Sequence, residues 1–183
     1  MRTRSLLSLA FVTLLAAPLS AQNIMVGGEA MYPSKDIVSN AVNSKDHTTL
    51  VAAVKAAGLV ETLQGKGPFT VFAPINGAFA ALPAGTVETL LKPENKSALT
   101  GVLTYHVLSG RYTAKDIIKA IKKGKGTATF TTVNGQKLTA MMNGPMNVVL
   151  KDAMGGIANI STYDVLQSNG VIHVIDHVLL PAM

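Results

Sequence analysis

The sequence predicts a single α+β domain, and three observations carry that reading. Between Ile37 and Ile121 the apolar residues recur mostly at helical spacing. From Thr127 onward the period becomes two, the signature of strands. The chain has no cysteine, so an apolar core rather than disulfide staples must hold it together.

The elements follow from the amino terminus. MRTRSLLSLAFVTLLAAPLSAQ begins with Arg2 and Arg4, continues as an apolar run from Leu6 to Ala17, breaks at Pro18, and offers Leu19-Ser20-Ala21 as a cleavage site. That layout predicts a signal peptide over residues 1–21, removed near Ala21. Its apolar run is shorter than the roughly 20 residues a bilayer span needs, so the expected mature chain is secreted or periplasmic and not membrane-spanning. An uncleaved interfacial anchor is the alternative. The formal charge of +6 becomes +4 on cleavage, because two arginines leave and no acid does.

Residues 22–32 read as an irregular lead-in, and 33–181 as the domain. Ile37, Val38, Ala41 and Val42 predict a helix, as do Leu50, Val51, Val54 and Ala57, with Gly58 placed to stop it. GKGPFTVFAP changes period: Phe69, Val71 and Ala73 share one face of a short strand that Pro74 ends. Short helices are expected around Ala78–Leu82 and Val87–Leu91, and Pro93 opens the next. There Leu99, Val102, Leu103, His106 and Val107 form an apolar stripe, with Tyr105 beside it. Thr113 and Asp116 form a capping-box start to a helix carrying Ile117, Ile118 and Ile121. ATFTTVNGQKLTAMM reads as a hairpin around Asn134-Gly135, a dipeptide that favours positive φ. NVVLKD, IANISTY and VIHVIDHVLL complete a mainly antiparallel sheet.

The final stretch, NGVIHVIDHVLLP, tests for metal and catalytic chemistry. On a strand, His173 and His177 share a face about 13 Å apart, too far for one zinc ion unaided. Asp176 would point to the other face and so would orient neither imidazole locally. A structural strand is the expectation, with no catalytic residue, metal or cofactor assigned.

TVFAPINGAF (70–79), LTYHVLSG (103–110), NGQKLT (134–139) and NGVIHVIDHVLLP (169–181) resemble, in order, the signature blocks of the fasciclin domain. The resemblance implies a β-sheet wedge or sandwich packed with several helices, and adhesion or matrix interaction rather than catalysis. The family's Tyr-His pair falls on Tyr105 and His106, in a region implicated in cell attachment; that histidine is also part of the packed interior. An integrin-linked Asp-Ile pair of some animal members falls on Asp164 and Val165, with valine replacing isoleucine. Ile75 stands where the first block usually has threonine, and His177 where lysine is common. The adhesion candidates are therefore Tyr105, His106, Asp164 and Val165. For Tyr105, a core position and direct partner contact are both open.

Other chemistry is weighed on the residues. No G-x-S-x-G, H-E-x-x-H, G-x-x-x-x-G-K-[ST] or G-x-G-x-x-G occurs. His47, after Asp46, reads as an exposed helix-start residue. Lys115, Lys119 and Lys122 follow i, i+4, i+7, and Lys123 and Lys125 adjoin them. This face is either simply solvated or an anion-binding patch. No aromatics interleave with it, which argues against nucleic acid. The expected partner is a cell-surface or matrix protein or polysaccharide. Two alternatives stand beside it: an exported hydrolase or metal-dependent enzyme in which His106, His173 and His177 converge, and a carrier of apolar ligands, suggested by eight methionines including Met141 and Met142.

Overall fold

A computed structural model describes residues 23–182, so the expected signal peptide lies outside the described residues. The architecture is α+β, with helices packed on one large mixed sheet. The first described element is a hairpin of β1 (Met25–Val26) and β2 (Glu29–Ala30), where an irregular lead-in was expected. Gly27 and Gly28 make its turn possible, both at positive φ (61° and 80°). Val26 and Met31 anchor the hairpin in the core.

Three helices follow: α1 (Ile37–Ala41), α2 (Thr48–Ala57) and α3 (Val60–Gln64). Asp36 caps α1 by accepting from the Ser39 amide. Gly58 ends α2 in the left-handed conformation, as its position in the sequence predicts. β3 (Phe69–Pro74) then enters the sheet, and α4 (Asn76–Ala80) and α5 (Thr86–Leu90) precede α6 (Lys96–Tyr105). Pro93 opens a 3-10 turn ahead of α6 rather than α6 itself. Ile75 is the N-cap residue of α4 and, having no polar side-chain atom, makes no side-chain cap bond.

α6 ends at Tyr105, so Val107 does not belong to its stripe. Val107 and Leu108 instead pair with Val71 and Thr70 as β4 (Val107–Ser109). α7 (Ala114–Lys123) opens on the predicted capping box of Thr113 and Asp116. The remaining strands are β5 (Thr127–Thr131), β6 (Lys137–Met142), β7 (Val148–Lys151), β8 (Ile157–Gln167) and β9 (Gly170–Ile175). The β5–β6 connection is longer than a two-residue turn: Gly135 is at positive φ, Asn134 is not, and the Thr132 amide donates to the Gln136 carbonyl at 2.9 Å.

The seven-stranded sheet runs β4-β3-β9-β8-β7-β6-β5. Among the described residues only β3 and β9 pair in parallel, and β9 lies between β3 and β8. A bridge between Leu108 and Thr132 links the region beyond β5 back to β4, so the sheet nearly closes. Two apolar cores result. One lies under α1, α2, α3 and α6 and takes Val71, Ala73, Ile172 and Val174 from the sheet. The other lies under α7, where Ile117 and Ile121 meet Phe72, Leu138, Ala140, Leu150 and Ile175. Alternation along β3 and β9 supplies both cores from one pair of strands.

Candidate functional site

The adhesion candidates gather where α6 passes into β4 and where β8 meets α7. Tyr105 is fully buried. Its hydroxyl donates to the Lys137 carbonyl at 2.8 Å and accepts from the Ala153 amide at 3.0 Å. It therefore ties α6 to β6 and to the loop after β7, and no part of it meets solvent. Of the two positions left open for it, the side chain takes the one in the core, with the hydroxyl both donating and accepting internally.

His106 is buried as well. Nδ1 lies 2.8 Å from the Val102 carbonyl, and Nε2 accepts from the Leu179 amide at 2.9 Å. A carbonyl on one nitrogen and an amide on the other fit one neutral tautomer, protonated on Nδ1. Burial drives its pKa down to about 4, against the Val102 carbonyl and the Asp152 charge, which favour the cation. His173 is the mirror case: Nε2 lies 2.9 Å from the Tyr112 carbonyl, and Nδ1 accepts from the Asp164 amide at 3.3 Å. It is the Nε2-protonated tautomer, stacked on Phe72 with centroids 5.7 Å apart, and burial lowers its pKa too.

His177 departs from its expected geometry. β9 ends at Ile175 and the chain bends, so Asp176 Oδ1 meets His177 Nδ1 at 2.9 Å, although strand alternation had placed them on opposite faces. This pair is exposed, and Asp176 also accepts from the Asn159 amide at 2.7 Å. His106, His173 and His177 thus have separate partners and share no acid. A general base needs a free nitrogen at the substrate, and His106 and His173 have none to offer without breaking a buried bond. Among the described residues, no group of three or more His, Cys, Asp or Glu side chains is placed to hold a metal ion.

Asp164 sits at an irregularity in β8 with φ of 55°, a left-handed conformation rare outside glycine. Its Oδ1 accepts from the Ala114 amide at 2.7 Å and so supplements the capping box of α7. Val165 next to it is buried and packs with Val71 and Ile172. Of the pair expected to meet a partner, Val165 faces the core, and the half-buried Asp164 is bonded to a helix terminus. His47, expected at the surface, is buried instead. Its Nδ1 is 2.8 Å from Ser44 Oγ, and burial lowers its pKa, offset by the Ala73 backbone and the Asp46 charge.

The lysines are where the helical spacing places them. Lys115, Lys119, Lys122, Lys123 and Lys125 are all exposed, opposite the buried Ile117 and Ile121 of α7. Among the described residues the one lysine ion pair is Lys45 with Glu29, at 3.8 Å. Asp116 is the acid on this helix, and Thr113 holds it. Met141 and Met142 are half-buried on β6, and Met142 packs against the α7 core.

Several polar residues that organise this region carried no readable signal. Thr70 Oγ1 donates to the Gly110 carbonyl at 2.7 Å and accepts from the Tyr112 amide at 2.8 Å. Asn169 accepts from the Ile37 amide at 3.0 Å and donates to the Leu63 carbonyl at 2.7 Å, locking the β8–β9 turn onto α1 and α3. Asp152 accepts from the Met154, Gly156 and Leu180 amides at 3.0, 2.7 and 2.9 Å. Both Thr70 and Asn169 fall inside quoted blocks, but only long-range contacts reveal what they hold.

Comparison with known proteins bears on this arrangement. A family model described as the fasciclin domain matches residues 45–181. Protein sll1483 of Synechocystis is 46% identical over 162 residues, covering 88% of this chain and 82% of its own. Immunogenic protein MPB70 of Mycobacterium bovis is 34% identical over 81% of this chain and 70% of its own. Human periostin is 32% identical over 74% of this chain, which spans only 15% of periostin. Among solved structures, the FAS1 domain pair from the insect cell adhesion molecule fasciclin I superposes with a TM-score of 0.69. That match is 20% identical in sequence and covers 80% of this chain and 51% of the other, so it speaks to the fold. No described helix is long and apolar enough to cross a membrane.

Proposed function

The chain belongs to the fasciclin-domain family, and from that premise we propose that it is an exported adhesion or matrix-interaction module whose α7 lysine face binds an anionic cell-surface or matrix polymer. The observation that carries the reading is the set of five exposed lysines on one helix and its terminal turn, none in an ion pair among the described residues. Lysines in the last turn also favour their own helix dipole, but only Lys122 and Lys123 stand there. Lys115 and Lys119 gain nothing from that effect, and Lys115 stands at the unfavourable end. Several like charges along one face create a field that attracts a polyanion, and such binding weakens as salt rises.

The buried histidines favour this reading over an enzymatic one, since His106 and His173 are fixed as neutral structural imidazoles. The test is binding of the mature protein to immobilised acidic and neutral polysaccharides across a salt series, beside a folded Lys119/Lys122/Lys123→Glu variant. Salt-sensitive binding to the acidic polymer that the variant loses is the expected result. Binding that survives both high salt and charge reversal overturns the assignment to α7.

A further inference from the structure

An apolar void lies inside the helical core, between α2, α3, α6 and β3. Of its lining, Val54, Leu63, Val71 and Leu103 are buried, whereas Val51 is half-buried and Lys55 exposed, which puts these two on its solvent side. The His106 ring also borders it, but both ring nitrogens are already bonded, so it offers no polar atom inward. Its lining is almost wholly apolar, whereas a bound water molecule needs two to four polar partners, so the space favours hydrocarbon over water. Its volume is about 70 Å³. That is about half the roughly 150 Å³ of an engineered dry cavity that binds benzene, so the space suits the end of an aliphatic chain and not an aromatic ring. Lys55 is exposed and has no acidic partner among the described residues, which places a positive charge beside an apolar entrance.

We propose that this void is a binding site for an aliphatic monocarboxylate, the hydrocarbon end filling the void and the carboxylate meeting the Lys55 ammonium at its mouth. Atoms around an unfilled void lack dispersion partners on one side, so a hydrocarbon end restores contacts that the empty fold forgoes. A single polar anchor beside an apolar pocket is the usual division of labour in small-ligand sites: apolar walls supply affinity, the charge sets orientation. This site is separate from the lysine face of α7, on the other core of the molecule.

The test is calorimetric titration of the mature protein with straight-chain carboxylates of increasing length and with the matching alcohols, supported by thermal melting. Affinity is expected to rise about fourfold per methylene until the void is filled and then level off. Alcohols are expected to bind about tenfold more weakly than carboxylates of equal length. Lys55→Glu, a surface change, should abolish that preference while leaving alcohol binding intact. Val51→Phe, a plug placed at the half-buried rim, should remove binding of both without lowering the melting temperature. Equal affinity for carboxylates and alcohols overturns the role of Lys55. Undiminished binding in a folded Val51→Phe variant, or no saturable binding at any chain length, overturns the site.

Discussion

Acid should destabilise this fold well before its carboxylates titrate, and the cause is His106. The unfolded chain protonates this histidine near its ordinary value of 6.5, whereas the folded chain does so only at about 4. Above pH 6.5 neither state holds the proton, and His106 contributes no pH dependence. As the pH falls below 6.5, the unfolded chain takes up a proton that the fold refuses, so stability declines until the pH reaches the folded value. At 1.36 kcal/mol per pH unit the decline amounts to about 3 kcal/mol, a large share of the ~5–15 kcal/mol stability of a typical domain. His47 and His173 are shifted in the same direction by burial, so the total loss is larger still. Asp116 is held below its ordinary value by Thr113, and Asp36 and Asp176 by hydrogen bonds that outweigh their burial. Their stabilisation is present above the ordinary carboxylate value of 3.8 and is lost as the pH falls through their folded values, beneath the histidine window. Urea unfolding between pH 7 and about pH 4.5, with a constant m-value, reads the effect directly. His106→Gln keeps a donor and an acceptor but cannot titrate, so its stability should fall less steeply with pH, by about one proton. A flat profile down to pH 4.5, or a His106→Gln slope equal to the parent's, refutes the reasoning.

The candidate residues now placed in the interior make their own predictions. Tyr105→Phe leaves the Lys137 carbonyl and the Ala153 amide without their shared partner, and should lower unfolding stability by about 1–3 kcal/mol while leaving polyanion binding unchanged. A folded Tyr105→Phe protein that loses binding would return that hydroxyl to the binding surface. Asp164→Ala should cost about 2 kcal/mol, because alanine tolerates the left-handed backbone poorly and the Ala114 amide loses its acceptor. Asp164→Asn, which tolerates that conformation and still accepts, should recover most of the loss in the same denaturation assay.

Local signals were legible wherever a residue acts on its own neighbours. The capping box of Thr113 and Asp116, the stop at Gly58 and the strand at Phe69–Pro74 depend on bonds a few residues long or on a simple period. The lysine face followed from helical spacing alone. What could not be read depends on distant partners. Val107 fits the stripe of α6 by spacing, yet its pairing with Val71 draws it into the sheet. His47 looks like a surface residue beside Asp46 and is buried beneath other elements of the fold. The strand expected through Leu180 ends at Ile175, and that bend lets Asp176 reach the neighbouring imidazole. The void is the extreme case, since its lining is drawn from residues scattered between Ile37 and Val107, together with Val133 and Ile172.

The four blocks that identify the family turn out to hold its interior. Thr70 bonds to Gly110 and Tyr112, Tyr105 to Lys137 and Ala153, His106 to Val102 and Leu179, and Asn169 to Leu63. Each is a polar side chain committed to at least one backbone group more than 30 residues away, and an unpaired buried backbone group is what a chain can least tolerate. A motif of this kind specifies how strands and helices lock, and says nothing about a partner, because its atoms are already bonded. Binding specificity must then reside in side chains that are accessible and uncommitted. On this molecule the lysines of α7 and the Lys55 entrance to the apolar void meet both conditions, and neither lies within a block that announced the family. Substitutions in the blocks should therefore change stability first, and substitutions at Lys55, Lys119, Lys122 and Lys123 should change binding while the fold stays intact.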